Sequence, residues 1–245
     1  MMEINKSIES KRSFRERANS FLTGPFFIIE VLIITTFLMI WIGGPAFLLG
    51  LAIALITFWS MKWDWSYFGL GDVRIGESIR SAIGYVMIII ILNDMILEPL
   101  TEMITNESVD LSGFEALKGN LPNFLIALGL MWIVAGFGEE FFYRGYFMKR
   151  IAHLFGNKNI SWIAAAFLSA IVFGLTHGYQ GISGIITTGI VGFILSMAFF
   201  LNRNNLLIAM LTHGIYDTYG LLLIYLDKNL VLKNIMIEFY QSIIK

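Results

Sequence analysis

Apolar stretches of roughly 20 residues follow one another along this chain, and each is long enough to cross a lipid bilayer as a helix. They cover residues 22–42, 45–61, 79–98, 121–143, 160–178, 183–201 and 205–226. Only helices and closed barrels satisfy every backbone hydrogen bond within the hydrocarbon region, and runs of this length are typical of helices. The sequence therefore predicts an all-α fold, a polytopic transmembrane helical bundle with seven to eight spans.

The number of spans depends on the C-terminal stretch 229–244, which mixes apolar residues with Lys233 and Glu238. This stretch fits either a short eighth span or a helix that lies in the membrane interface. The domain organisation is expected to be simple. Residues 1–20 form a polar cytoplasmic segment, and residues 21–245 form a single integral-membrane domain with its motif core at 121–226.

Composition excludes several classes of function. Hydrophobic residues make up 57% of the chain and charged residues 14%, with a formal net charge of −1, so nothing indicates nucleic acid as a partner. The chain contains no Cys, which excludes disulfides, thiol nucleophiles and Cys-based metal sites. The partner that the composition requires is the lipid bilayer.

Basic residues are concentrated in alternate loops. They occur before the first span, then between spans two and three, four and five, and six and seven, whereas the loop 99–120 is acidic. Because cytoplasmic loops carry an excess of Lys and Arg, the N-terminus is predicted to be cytoplasmic in a multi-pass protein of the cell membrane.

Two adjacent acids, Glu139 and Glu140, lie inside the fourth apolar stretch. A charged side chain at the centre of a span costs about 2.5 kcal/mol or more, so such residues usually have a function. Arg144 follows Glu140 by four residues and shares its helix face, which predicts an ion pair. Adjacent helical residues point about 100° apart, so Glu139 is free to face a cavity.

Two histidines lie in later spans. His213 precedes Asp217 by four residues, and that carboxylate can orient the imidazole. His177 lies as far beyond the loop at Lys158 as Glu139 lies before it, so an antiparallel helix pair would bring the two together. All three groups are expected to meet in the cytoplasmic half of the bundle, with Phe173 lining the wall beside His177.

A glutamate and two histidines around a wet pocket suit the activation of water. In one reading Glu139 is the general base and the histidines support an oxyanion. In the other, Glu139, His177 and His213 hold a divalent metal such as Zn²⁺, although no HExxH-type pair is present. The sequence leaves this choice open.

The residues Glu139-Glu140-Phe-Phe-Tyr-Arg144, Phe173-Gly-Leu-Thr-His177 and His213-Gly-Ile-Tyr-Asp217 resemble a three-motif signature, EExxxR, FxxxH and HxxxN/D. That signature is typical of the CAAX-protease and bacteriocin-processing (CPBP, or abortive-infection) family of intramembrane endopeptidases, and the chain resembles the type II CAAX prenyl endopeptidases in it. Eukaryotic members of the family remove the last three residues of prenylated CAAX proteins. The resemblance implies a helical membrane bundle with a cavity open to the cytoplasm and a protein or peptide substrate. It also implies that Glu139 and His177 activate water while His213 and the residue at 217 stabilise the oxyanion. Members of the family are described either as metalloproteases or as glutamate-dependent enzymes without a metal.

One residue departs from the common pattern, because many members of the family carry Asn where this chain has Asp217. An ionised Asp cannot donate a hydrogen bond to an oxyanion. Asp217 must therefore be protonated, act through His213 or ligate a metal.

Two other acids in the apolar stretches are also costly. Glu30 is expected to face the bundle interior and tune the cavity, whereas Asp94 is expected to be exposed to water near the end of its helix. The alternatives to a protease are a catalytically inactive immunity or scaffold protein and a proton-coupled transporter, in which the buried acids and histidines would relay protons.

Overall fold

The computed structural model describes residues 13–42 and 44–244, and within them the chain is helical with no β-strand. The helices are α1 (Phe14–Leu22), α2 (Pro25–Ile42), α3 (Gly44–Ser60), α4 (Ile75–Thr105), α5 (Leu121–Leu154), α6 (Asn159–Thr176), α7 (Gly181–Leu201), α8 (Leu206–Tyr225) and α9 (Val231–Ile244). Short 3₁₀ turns lie at Ser112–Leu117 and Gly178–Gln180. The predicted all-α bundle is confirmed.

The predicted count of seven to eight spans is not confirmed. Within the described ranges, six helices are long and apolar enough to cross a membrane, namely α2 and α4 to α8. In α3, the apolar part Ala46–Ser60 is shorter. Helix α9 has 14 residues, or about 21 Å at 1.5 Å per residue, against a hydrocarbon core of about 30 Å.

The predicted polar segment 1–20 is only partly described, because residues 1–12 lie outside the described ranges. Within the described part, Ser13 caps α1 and Glu16 reaches back to the Ser13 backbone N–H, a capping box that defines where the helix begins.

Helix α5 is locally widened around the two acids. It is π-helical over Trp132–Glu139 and again over Phe141–Met148, on either side of Glu140. Helix α4 has a similar π-helical segment at Ile90–Leu97. Segments of π-helix are rare in proteins, and those that do occur often lie at functional sites.

The second π-helical segment of α5 is the centre of the core, and all its side chains are buried. Phe141 stacks on Phe68 with ring centroids 4.3 Å apart. On another side, Tyr143 meets Phe173 of α6 edge to face at 5.0 Å. Since α5 is packed on several sides, the side chains that it presents to the interior are held in fixed positions.

Helices α6 and α7 approach closely because two glycines face each other. A Cβ on Gly174 would lie 2.5 Å from the carbonyl oxygen of Ile185 and 3.0 Å from the Cα of Gly189. The interface between these helices therefore requires small residues, as is common in membrane bundles.

The acidic stretch predicted as a loop is partly helical. Helix α4 continues to Thr105, so Glu98 and Glu102 lie within it. Lys233 of α9 approaches Glu102 Oε2 to 2.8 Å and Glu98 Oε1 to 3.7 Å with its nitrogen. Tyr240 of α9 also donates a hydrogen bond to the Met95 carbonyl at 2.9 Å. These contacts hold α9 against the second half of α4.

Candidate active site

The predicted ion pair is present. Arg144 Nη1 lies 2.6 Å from Glu140 Oε1, and both side chains are fully buried. The guanidinium also donates to the Gly192 carbonyl at 2.7 Å and to Ser196 Oγ at 3.4 Å. It lies 4.8 Å from the centroid of the Phe173 ring. Arg144 therefore joins α5 to α6 and α7.

The same carboxylate holds the first of the two histidines. Nδ1 of His213 lies 2.8 Å from Glu140 Oε1, although the residues are 73 positions apart. Because that oxygen accepts from Arg144, the His213 nitrogen is the donor in this bond. The contact fixes the ring and leaves Nε2 as the nitrogen available for chemistry.

Asp217 lies on the other side of this imidazole, with its Oδ2 3.4 Å from Nε2 of His213. This separation is longer than a good N–H···O hydrogen bond of about 2.7–3.2 Å. The arrangement places His213 between two carboxylates, with the shorter contact to Glu140.

The second histidine is fixed by the backbone. His177 directly follows the last residue of α6, and its Nδ1 lies 2.7 Å from the Phe173 carbonyl oxygen. A carbonyl oxygen only accepts, so Nδ1 carries the hydrogen and Nε2 of the neutral ring is an acceptor. The Phe173 ring lies 4.6 Å from the imidazole, between centroids.

A cavity of about 610 Å³ brings the remaining predicted residues together. Its wall includes Glu139, Phe173, His177, His213 and Asp217. Glu140 and Arg144 are not part of this wall and lie behind it, where Glu140 supports His213. Glu139 and Glu140 thus face different surroundings, as their adjacent positions on the helix predict.

The cavity extends from the middle of the bundle to the end remote from the loop at Lys158. Helix α6 starts beside the basic loop at Lys158, and its 18 residues span about 27 Å before His177. The wall continues to Leu111, Phe114 and Asn229, in the connections remote from that loop. His213, in contrast, lies only seven residues after the start of α8 and Glu139 lies near the middle of α5, so the expectation that the three groups meet in the cytoplasmic half of the bundle stays a prediction.

Residues 121–219 match the family described as type II CAAX prenyl endopeptidase Rce1-like. The matched stretch contains all three motifs. Over these residues the chain is similar to the CPBP/CAAX protease family. No curated protein and no solved structure matches the chain. The family implies an intramembrane protease of the CAAX type that acts on a peptide, and the apolar helices indicate a multi-pass membrane protein.

Sequence reasoning missed a second polar group in the cavity wall, formed by Asn93, Asp94 and Tyr216. The Tyr216 hydroxyl donates to Asp94 Oδ1 at 2.5 Å, and Asn93 Nδ2 donates to the same oxygen at 3.1 Å. All three residues line the cavity. Asp94 is partly exposed in the cavity wall, and it lies eleven residues before the end of α4 rather than near a helix end. Two features of the sequence could have indicated this group. Asp94 is a carboxylate in an apolar span, where a charge is costly, and Tyr216 directly precedes Asp217 of the third motif.

Glu30 was also expected in the interior, but its side chain is exposed on the outer surface of α2. This α2 position lies on the outside of the bundle, which the sequence of one span cannot reveal.

The sequence offers Glu139, His177 and His213 as ligands of a divalent metal. Among the described residues, no group of three or more His, Asp or Glu side chains is arranged to hold a metal ion. The Nδ1 atoms of His213 and His177 are engaged by Glu140 and by the Phe173 carbonyl, which leaves Nε2 of each ring uncommitted by these contacts. The Zn²⁺ site at Glu139, His177 and His213 stays a prediction, and the proposed mechanism uses only side chains of this chain.

Proposed function

We propose that the protein is an endopeptidase that cleaves a peptide bond close to the membrane, using water activated by Glu139 and His177. The observation that carries the proposal is that the two adjacent acids have different surroundings. Glu140 is fully buried and paired with Arg144 and His213, whereas Glu139 is half-buried in the wall of the cavity beside both histidines.

Glu139 is the general base in this mechanism. It is not committed to the Arg144 ion pair, and it faces a cavity large enough for a peptide segment. A carboxylate within hydrogen-bond reach of a water molecule accepts its proton as the water attacks a carbonyl carbon. The proton then passes to the leaving nitrogen as the C–N bond breaks, so that one water molecule is consumed for each bond.

His177 positions the same water. The hydrogen bond from its Nδ1 to the Phe173 carbonyl leaves Nε2 of the neutral ring as an acceptor. A water that donates one proton towards Glu139 and the other towards His177 has its lone pair directed at the substrate. This is the role expected from the family resemblance, and the tautomer inferred for His177 suits it.

His213 is assigned to the oxyanion. Nδ1 already donates to Glu140, so the ring stabilises a developing negative charge only when Nε2 also carries a proton. Two neighbouring carboxylates, Glu140 and Asp217, compensate the positive charge of that doubly protonated ring. In this proposal Asp217 acts through His213, and it need not donate a hydrogen bond as Asn would.

The test compares protein termini in the membrane fraction of cells that express the wild-type chain or Glu139→Gln at equal levels. The substitution removes the base and keeps the shape of the side chain, so termini that depend on the protein should disappear. Glu30→Gln is the matched control. It also removes a carboxylate from a spanning helix, but on the outer surface, and it should retain every new terminus.

Retention of the termini in the Glu139→Gln variant would contradict the assignment of the base. Identical termini in wild-type cells and cells without the protein would favour the inactive scaffold or the transporter. Metal content and proton-coupled uptake would then be measured on the purified chain.

A further inference from the structure

The bundle has a basic end, at which the Lys- and Arg-rich segments meet. Arg15 Nε of α1 donates to the Trp59 carbonyl at the end of α3 at 2.8 Å. The Leu206 N–H bonds to the Gly69 carbonyl at 3.0 Å, and Lys149 donates to the Tyr67 carbonyl. Within the described residues, this end carries Arg15, Arg17, Lys62, Arg74, Arg80, Lys149, Arg150, Lys158 and Arg203.

The opposite end is joined by its own contacts. The Asp110 N–H bonds to the Gln180 carbonyl at 3.0 Å, and the Gly119 N–H bonds to the Tyr225 carbonyl at 2.9 Å. Among the described residues, the Lys and Arg side chains at this end are Lys118, Lys228 and Lys233. Lys118 and Lys233 are paired with acids, so this end has little free positive charge.

This asymmetry orients the protein in the membrane. Lys and Arg in short loops near the ends of spans determine orientation, and the side that is rich in them is cytoplasmic. The connections at the basic end are all short, so the rule applies to each of them. The basic end is therefore cytoplasmic and the opposite end is not.

The cavity belongs to the second end. From Glu139, His177 and His213 its wall continues to Leu111, Phe114, Tyr179 and Asn229, which lie in or next to the connections at that end. Of the connections at the basic end, none within the described ranges contributes to this wall.

We propose that the cavity receives its substrate from the non-cytoplasmic side of the membrane. The substrate class is a peptide segment that emerges next to the membrane on that side, with apolar residues near the cleaved bond. The apolar preference follows from a wall rich in side chains such as Leu130, Met131, Val134 and Ile224. A prenylated C-terminus on a cytoplasmic protein would lie on the wrong side. This inference rests on the proposed peptidase activity.

The absence of Cys from the chain allows a direct test with single cysteines. Gly113 lies in the 3₁₀ turn beside the cavity and Gly76 lies at the basic end, and a Cβ at either position would have no atom within 4 Å. Gly113→Cys and Gly76→Cys are therefore matched reporters that should not disturb the fold. Intact cells are treated with a membrane-impermeant maleimide, and then again after the membrane has been permeabilised.

Gly113→Cys should react in intact cells, and Gly76→Cys should react only after permeabilisation. In the comparison of membrane-fraction termini, the termini that depend on Glu139 should map to non-cytoplasmic segments of membrane proteins. Labelling of Gly76→Cys in intact cells would overturn the inference and leave the peptidase activity untouched. Cleavage of cytoplasmic segments would overturn it as well.

A complete lack of Glu139-dependent termini would overturn the proposed activity, and with it the substrate class stated here. The labelling result does not depend on catalysis, so it shows whether the orientation or the peptidase assignment has failed.

Discussion

Replacement of Arg144 by Met tests the physical core of the site. Methionine keeps much of the length and volume of the side chain, so the change removes the charge without opening a large void. It leaves Glu140 as a fully buried carboxylate whose closest cation is gone.

The expected loss of stability follows from the contacts. Removing one partner of a buried ion pair costs about 3–5 kcal/mol. Two contacts moderate the loss here. The Gly192 carbonyl still accepts a hydrogen bond from Ser196 Oγ at 2.8 Å, and Glu140 still accepts from His213 at 2.8 Å. We therefore expect about 3 kcal/mol, at the lower end of that range.

The assay is reversible unfolding of the detergent-solubilised protein by increasing mole fractions of SDS, followed by circular dichroism. Glu140→Gln alone should also destabilise, because it strands Arg144. The double variant Glu140→Gln, Arg144→Met should recover about 1–3 kcal/mol relative to the sum of the single losses.

Arg74→Met is the matched control, because Arg74 forms an exposed ion pair with Glu77, with 79% and 56% of the two side chains accessible. Exposed pairs contribute little, so this variant should unfold like the wild type. A loss for Arg144→Met no greater than that of Arg74→Met would refute the argument, as would strictly additive losses in the double variant.

Two further predictions concern contacts between helices. In α8, a Cβ on Gly214 would lie 2.3 Å from Cζ3 of the Trp132 ring, whereas a Cβ on Gly220 would meet no atom within 4 Å. Gly214→Ala should therefore cost about 1–3 kcal/mol in the same SDS unfolding assay. Gly220→Ala should be neutral or stabilising by up to about 1 kcal/mol. Equal effects of the two substitutions would contradict the close packing of Gly214 against Trp132. Lys233 is 5% exposed and holds Glu98 and Glu102, so Lys233→Met should release α9 and speed limited proteolysis between α8 and α9 several-fold. The exposed Lys228→Met should not, and unchanged proteolysis of Lys233→Met would show that other contacts hold α9.

Contacts between residues four positions apart could be predicted from the sequence, because a helix places such residues on one face. The pair Glu140–Arg144 is present at 2.6 Å, and Asp217 lies 3.4 Å from His213. The exposure of Glu30 and the partial burial of Asp94 could not be predicted in this way. They depend on which face of each helix meets a neighbour, and uniformly apolar spans carry little signal for it.

The three motifs marked the residues of the site, but not all of its bonds. The contact between Glu140 and His213 joins residues 73 positions apart, and the Asn93–Asp94–Tyr216 group joins α4 to α8. Both depend on how the helices pack. The π-helical segments around Glu140 also shift side chains relative to a regular helix, and no pattern in the sequence predicts them.

The sequence by itself determined that this chain is an all-α membrane bundle with paired acids and histidines in its spans, since hydrophobic run length and four-residue spacing are local properties. Only the tertiary structure decided that Glu139 faces the cavity while Glu140 anchors His213, and that the cavity extends to the end remote from the basic loops. These features depend on where each helix begins and ends and on the close approach of α6 and α7 at Gly174. Such packing is set by contacts between residues far apart in the chain.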